Sequence, residues 1–357
     1  ENTATPNFMR ASFGLKSNSY EFKKQAELFS QAFELIDTLP TEPFRTQDRR
    51  QDSIHHEVSD ATFQNCANTD FSLAHNRAWT QTIYDSLKIS SLNIQPIISG
   101  QESASSELHS LKSPNDNQVF GEAQLANEQQ IEEALLCADQ FYLEWMQFTH
   151  EERCELANKC AEKLEANRKE LIRAMILEVG KNLHEADHEV SEAIDFCRYY
   201  ACSLREWEES QNLSLRPLGS VLVCSPWNFP IAIPVGGIIA ALISGNCVLF
   251  KPAPEAIYCG QLICKIFYEA GIPKDALQFI PCADEPTGSN LIQDSRLKLC
   301  LLTGATQTAK HFLQLRPDLN LSAETGGKNI MVISSLCDRD LAIKDLIHSA
   351  FSFSGQK

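Results

Sequence analysis

Basic side chains are in short supply. The 357-residue chain carries 31 Lys and Arg against 47 Asp and Glu, a formal charge of −16. Nucleic acid and anionic membranes are held by Lys and Arg clustered against phosphate, so the balance argues against both as partners. Long apolar runs are missing as well. The longest, Ile231 to Ile243, is interrupted by Pro234, Gly236 and Gly237, and it falls short of the ~20 residues that span a bilayer. No secretory signal pattern is present. Cysteine is plentiful at 13 residues, yet Cys-x-x-Cys spacing is absent, which argues against a bound metal and against a disulfide framework. Scattered Cys in a chain of this size read as reduced thiols packed as small hydrophobes in a cytoplasmic protein. The Gly-x-Gly-x-x-Gly fingerprint of an ordinary Rossmann site is also lacking.

What is there is 43% apolar residues, enough for a substantial core in one large domain or two. Residues 1–110 are polar, rich in Ser, Asn and Gln, and weakly periodic. They read as an N-terminal arm or linker, partly ordered by packing on something else, with Tyr20 to Leu39 as the best helical pattern. From Asn127 the signals sharpen. Asn127 with Gln130, and Thr149 with Glu152, have capping-box spacing. The apolar stripes Ile131, Leu135, Ala138, Tyr142 and Leu156, Cys160, Leu164 follow at helical period. A third helix is predicted over about Glu185 to Trp207. After Gly219 the period changes. Ser220–Cys224, Cys247–Phe250, Leu277–Ile280, Leu297–Leu302 and Ile330–Ile333 read as strands. Helices over Ile231–Ile243, about Ile257–Ala270 (ended by Gly271) and Thr306–Leu315 alternate with them. Such alternation predicts a parallel sheet with ligands at the carboxyl ends of its strands.

Several short motifs fall at those strand ends. In Pro226-Trp227-Asn228-Phe229-Pro230 two prolines fix the backbone around Asn228, so its amide suits an oxyanion hole or serves as a local cap. Lys251-Pro252-Ala253-Pro254-Glu255 offers a cation and a carboxylate for ribose hydroxyls or phosphate, or is an exposed turn. Thr303-Gly304-Ala305-Thr306 opens a helix whose amides can face a pyrophosphate. Ser322-Ala323-Glu324-Thr325-Gly326-Gly327-Lys328 sets a carboxylate beside two glycines in a strand-like, otherwise apolar setting. If desolvated, Glu324 has a raised pKa and can act as a general base; the plain alternative is a satisfied strand-end acid.

Taken in order and together with Ser354-Gly355-Gln356-Lys357, these motifs resemble the aldehyde dehydrogenase superfamily over about Leu111 to Lys357. Ser113-Pro114-Asn115-Asp116 and Val119-Phe120-Gly121 look like the family's early hairpin. Within the superfamily, Glu189 through Tyr200 and Ala323 through Gly327 resemble the L-glutamate γ-semialdehyde (1-pyrroline-5-carboxylate) dehydrogenase domain of bifunctional proline utilization A proteins, which act in proline catabolism. The resemblance implies an α/β fold, a Rossmann-type parallel sheet with flanking helices behind a helical or irregular N-terminal arm. It implies an arm over 1–110, an NAD-binding domain over 111–330, and the start of a catalytic domain, otherwise largely absent, over 331–357.

The chemistry implied is attack of a Cys thiolate on an aldehyde, hydride transfer to NAD+ and hydrolysis of the thioester. Asn228 would stabilise the oxyanion and Glu324 would activate water. Pro226, Trp227, Lys251, Glu255, Gly304 and Thr306 would contact the cofactor. Glu192 and Lys357 would border the aldehyde, Glu192 being otherwise a solvated helix acid. The nucleophile is expected immediately after Lys357, and none of the 13 Cys has its context, so the chain as it stands is expected to be inactive and cut just short of it. FAD would belong to a separate proline dehydrogenase domain, and the whole protein would be a homo-oligomer. Two departures stand out. Pro254 occupies the place of the family's acid three residues after the lysine, with Glu255 one later, and Ala305 replaces a hydroxyl beside Gly304. The alternatives are a dehydrogenase for another small semialdehyde, such as succinate semialdehyde, or a non-catalytic NAD-binding or assembly module.

Overall fold

A computed structural model of the chain describes residues 19–34, 36, 45–51, 63–87, 91–209 and 215–356. The chain divides into two compact units, Glu1–Asp48 and Arg49–Lys357. In the first, α1 (Tyr20–Glu34) has no buried residue; the rest of the helix expected to reach Leu39, apart from the single residue 36, lies outside the described residues.

The second unit begins with α2 (Ala74–Asp85), followed by β1 (Leu92–Ile94), β2 (Ile97–Ile98), β3 (Gln101–Glu102), β4 (Glu107–Lys112) and β5 (Val119–Leu125). Four long helices come next: α3 (Glu128–Trp145), α4 (His150–Ala166), α5 (Arg168–Val179) and α6 (Leu183–Glu209). Alternation then sets in through β6 (Ser220–Cys224), α7 (Ala232–Ile243), β7 (Cys247–Lys251), α8 (Ile257–Ala270), β8 (Leu277–Phe279), α9 (Ser289–Gln293), β9 (Leu297–Gly304), α10 (Thr306–Leu315) and β10 (Leu321–Thr325). α11 (Arg339–Phe351) closes the series. This is the α/β architecture expected, with a sheet parallel from β10 to β8.

Local chemistry explains most boundaries. Both capping boxes are made: Asn127 and Thr149 accept from the third helical amide, and Gln130 and Glu152 accept from the cap amide. Gly271 ends α8 at φ 103°, a left-handed conformation that glycine reaches without strain. β6 is buried at every residue, as suits a strand flanked by partners and covered on both faces. α5 went unpredicted although Asn167 and Glu170 have capping-box spacing; in the structure the Asn167 side chain makes no cap bond and donates instead to the Lys163 carbonyl at 2.9 Å.

The large sheet runs β10-β9-β6-β7-β8-β2-β3 and a smaller one runs β1-β5-β4. β2 and β3 thus extend the main sheet antiparallel to β8, and residue 110 falls inside β4. The polar stretch before it is tied down both by apolar side chains, Trp79 and Ile83 of α2 with Ile94 and Ile97, and by ions. Arg49 bonds Thr69 and pairs with Glu165; Glu165 and Asp187 both pair with Arg168. Polar composition concealed that anchoring.

Ile330–Ile333 is not a strand. These residues are exposed, Val332 at 87%, and the strand of this region is β10, which pairs with β9 from Leu321 to Thr325. An apolar run without a hydrogen-bonding neighbour has no ladder to join. All 13 Cys are free thiols, ten of them buried.

Candidate active site

The chain passes from β6 outward to β7 on one side and later returns to lay β9 on the other. Such a switch point opens a crevice at the carboxyl ends of the strands. There the structure has a cleft of about 920 Å³. It gathers segments far apart in sequence: Cys224 to Phe229 after β6, Lys251 to Pro254 after β7, Gly304 to Thr308 after β9, and Glu324 to Gly326 on β10.

Asn228 is half-buried on the turn between β6 and α7. Its Nδ2 lies 3.4 Å from Gln356 Oε1 as donor, while its Oδ1 is buried without a hydrogen-bond partner among the described residues. That turn is held by a residue whose sequence context carries no role for it. Glu189, on α6, accepts from the amides of Ile231 (2.7 Å) and Ala232 (3.1 Å) at the start of α7. It also pairs with Lys181, whose ammonium stands 3.9 Å over the Phe229 ring. Burial raises the Glu189 pKa, and Lys181 opposes that rise. The available signal was an acid set within the buried stripe Ala186, Val190, Ala193. Glu178 repeats the device: fully interior, it accepts from the amides of Tyr258 (2.7 Å) and Cys259 (2.8 Å) in α8, and burial pushes its pKa up to about 7.

Lys251 reaches into the cleft, where its Nζ donates to Asp284 Oδ1 at 2.8 Å. Burial disfavours its charge, but Cys282, Cys224 and Asp284 outweigh this and raise its pKa. Asp284, Glu285, Ser289 and His311 share that wall and were not anticipated, since they lie in a loop whose position depends on β8. Gly304 lines the cleft; α10 starts just after it behind Ala305, with no side-chain cap on its first amides.

Glu324 lines the cleft with Asn228, but the apolar enclosure expected for it is absent. β10 is an edge strand and Glu324 is exposed; a carboxylate there stays hydrated. Its charge still reaches Tyr200, whose phenol is pushed up first by burial and then by Glu324. Pro226 and Trp227 line the cleft. Thr306 and Glu192 are exposed and are not among the lining residues. Glu255 faces a second cavity of about 460 Å³ shared with His109 and Glu178. Lys357 lies outside the described residues.

The residues present suit a dinucleotide: an uncapped helix start for a pyrophosphate, a Lys–Asp pair for ribose hydroxyls, and apolar walls from Leu291, Ile292, Leu302 and Phe312. Comparison with known proteins agrees. Residues 101–357 match the aldehyde dehydrogenase family. The chain is 30% identical over 309 residues to a 1-pyrroline-5-carboxylate dehydrogenase of Oceanobacillus iheyensis, covering 81% of this chain and 60% of that protein. It is 33% identical over 303 residues to the bifunctional protein PutA of Salmonella typhimurium, covering 82% and 23%. Among solved structures, a 1-pyrroline-5-carboxylate dehydrogenase from Thermus with bound NAD superposes with a TM-score of 0.78 at 29% identity, over 83% of this chain and 61% of that one. The chain thus spans about 60% of the length of the two 1-pyrroline-5-carboxylate dehydrogenases and 23% of PutA. Among the described residues no helix is long and apolar enough to cross a membrane.

Proposed function

This chain belongs to the aldehyde dehydrogenase family, and on that premise we propose that it is the NAD-binding portion of an enzyme oxidising L-glutamate γ-semialdehyde to glutamate. The observation that carries the proposal is the convergence of Asn228, Lys251, Gly304 and Glu324 on one cleft at the switch point of a parallel sheet. The substrate follows from the matched relatives, named 1-pyrroline-5-carboxylate dehydrogenase and PutA.

NAD+, when bound, accepts the hydride. Around it the chain's own residues divide the work. Lys251 holds the adenosine ribose, and the first amides of α10 together with Gly304 receive the pyrophosphate. Pro226 and Trp227 flank the nicotinamide side. Asn228, on a turn braced by Glu189, directs its amide at the oxygen where negative charge develops. Glu324 takes a proton from water, and its exposure keeps it within reach of solvent. The nucleophile's role is assigned to none of the described residues. In this reading 111–330 forms the cofactor domain and 331–357 begins the catalytic one.

The complete gene product, supplied with NAD+ and 1-pyrroline-5-carboxylate, should generate NADH. Turnover of succinate semialdehyde but not of this substrate would reject the substrate assignment. Failure of the chain to bind any nicotinamide dinucleotide in calorimetry would reject the cofactor role and favour an assembly module.

A further inference from the structure

We propose that Asp284 selects the dinucleotide, accepting the 2′-hydroxyl of the adenosine ribose and turning away a 2′-phosphate, so that the chain prefers NAD+ to NADP+. The inference rests on the reading of the cleft as a dinucleotide site and adds the residue that discriminates within it.

A carboxylate beside the ribose marks NAD sites, whereas an unpaired cation accommodates the 2′-phosphate of NADP. In sequence the only acid close to Lys251 is Glu255, yet it lines the other cavity and not this one. The acid that meets Lys251 comes instead from the loop after β8, 33 residues on: Asp284 Oδ1 lies 2.8 Å from Nζ. The two side chains differ in access. Lys251 is 12% exposed and Asp284 80%, so the ammonium is committed to one partner while the carboxylate keeps open positions for a hydroxyl donor. The loop also wraps the lysine closely, since a Cβ added at Gly288 would come 3.7 Å from Lys251 Cε and 3.0 Å from the Ala283 carbonyl.

Charge on this wall decides the sign. Glu285 stands beside Asp284, accepting from Ser289 Oγ at 2.5 Å and facing His311 Nε2 at 3.1 Å. Two carboxylates therefore border the site, and the one lysine among its described lining residues is already paired. A ribose diol donates to Asp284 without adding charge. A 2′-phosphate brings about two negative charges against Asp284 and Glu285 and finds Lys251 neutralised.

The test is calorimetric titration of the chain with NAD+ and with NADP+, for the unaltered protein, Asp284→Asn and Glu255→Gln. The unaltered chain should bind NAD+ about tenfold or more tightly than NADP+. Asp284→Asn should shrink that ratio by about tenfold, mainly through tighter NADP+, because Lys251 becomes available to the phosphate; Glu255→Gln should leave it in place. Asp284 is exposed, so its substitution leaves the fold intact, which circular dichroism checks. A ratio unmoved by Asp284→Asn, or an unaltered chain that prefers NADP+, overturns the selection role while leaving the dinucleotide reading standing. Binding of neither dinucleotide overturns both.

Discussion

Ser220–Cys224 and Ile330–Ile333 are both short, apolar stretches, yet one is the sheet's interior and the other is bathed in solvent. β6 lies between β7 and β9 and shows no exposed residue. Ile330 and Val332 are 86% and 87% exposed. The contrast runs further. α4, like the exposed α11, begins with a side-chain cap, but α4 buries Cys154, Ala157, Cys160 and Leu164 while α11 buries nothing. Glu178 is interior and Glu324 open to water. Apolar content, caps and acids therefore acquire their energetic weight from what packs on them, not from their own identity.

The largest effect should come from charging the two apolar stretches. Val223→Asp puts a carboxylate between Phe250 and Leu301 in the ladder and should cost about 4 kcal/mol or more, or prevent folding. Val332→Asp should change stability by less than about 0.5 kcal/mol. Urea midpoints of the two variants measure the difference, and equal losses would show that 330–333 is packed in solution.

A smaller effect separates the carboxylates. Glu178 has a folded pKa of about 7 against its usual 4.5. As pH rises from 4.5 to 7 the unfolded chain loses this proton and the folded one keeps it, so stability is full at the acid end and declines toward neutrality. The two values correspond to roughly 3 kcal/mol. Urea unfolding between pH 4.5 and 7.5 should show the unaltered chain losing stability relative to Glu178→Gln by about this amount. Parallel curves would mean that the interior carboxylate is ionised throughout.

The caps give the smallest effect. Thr149→Ala should lower global stability by about 1 kcal/mol, because α4 is packed against α6 and α8. Asp338→Ala removes the acceptor for Asp340 and Leu341 and should fray α11 in hydrogen exchange without moving the global midpoint. A shift of that midpoint would place α11 inside the cooperative unit.

Much of the fold was legible before any coordinates. Asn127, Thr149 and Gly271 announced helix ends, and the β6 to β9 alternation announced both the parallel sheet and the edge where its ligands belong. These signals act over three or four residues, so the chain states them locally. Three features were hidden for the opposite reason. The anchoring of Arg49 depends on an ion pair with Glu165, 116 positions away. The bracing of Asn228 depends on Glu189, 42 positions before Ile231. The acid beside Lys251 proved to be Asp284 and not its close neighbour Glu255.

By itself, then, the sequence announced the starts of α3, α4 and β6 to β9 and set Asn228, Lys251, Gly304 and Glu324 at strand ends. Only the tertiary structure decided which carboxylate meets which cation, which acids lose their water and which apolar runs are covered. Burial and pairing are properties of the space between elements, and that space exists only once β6 to β10 have assembled.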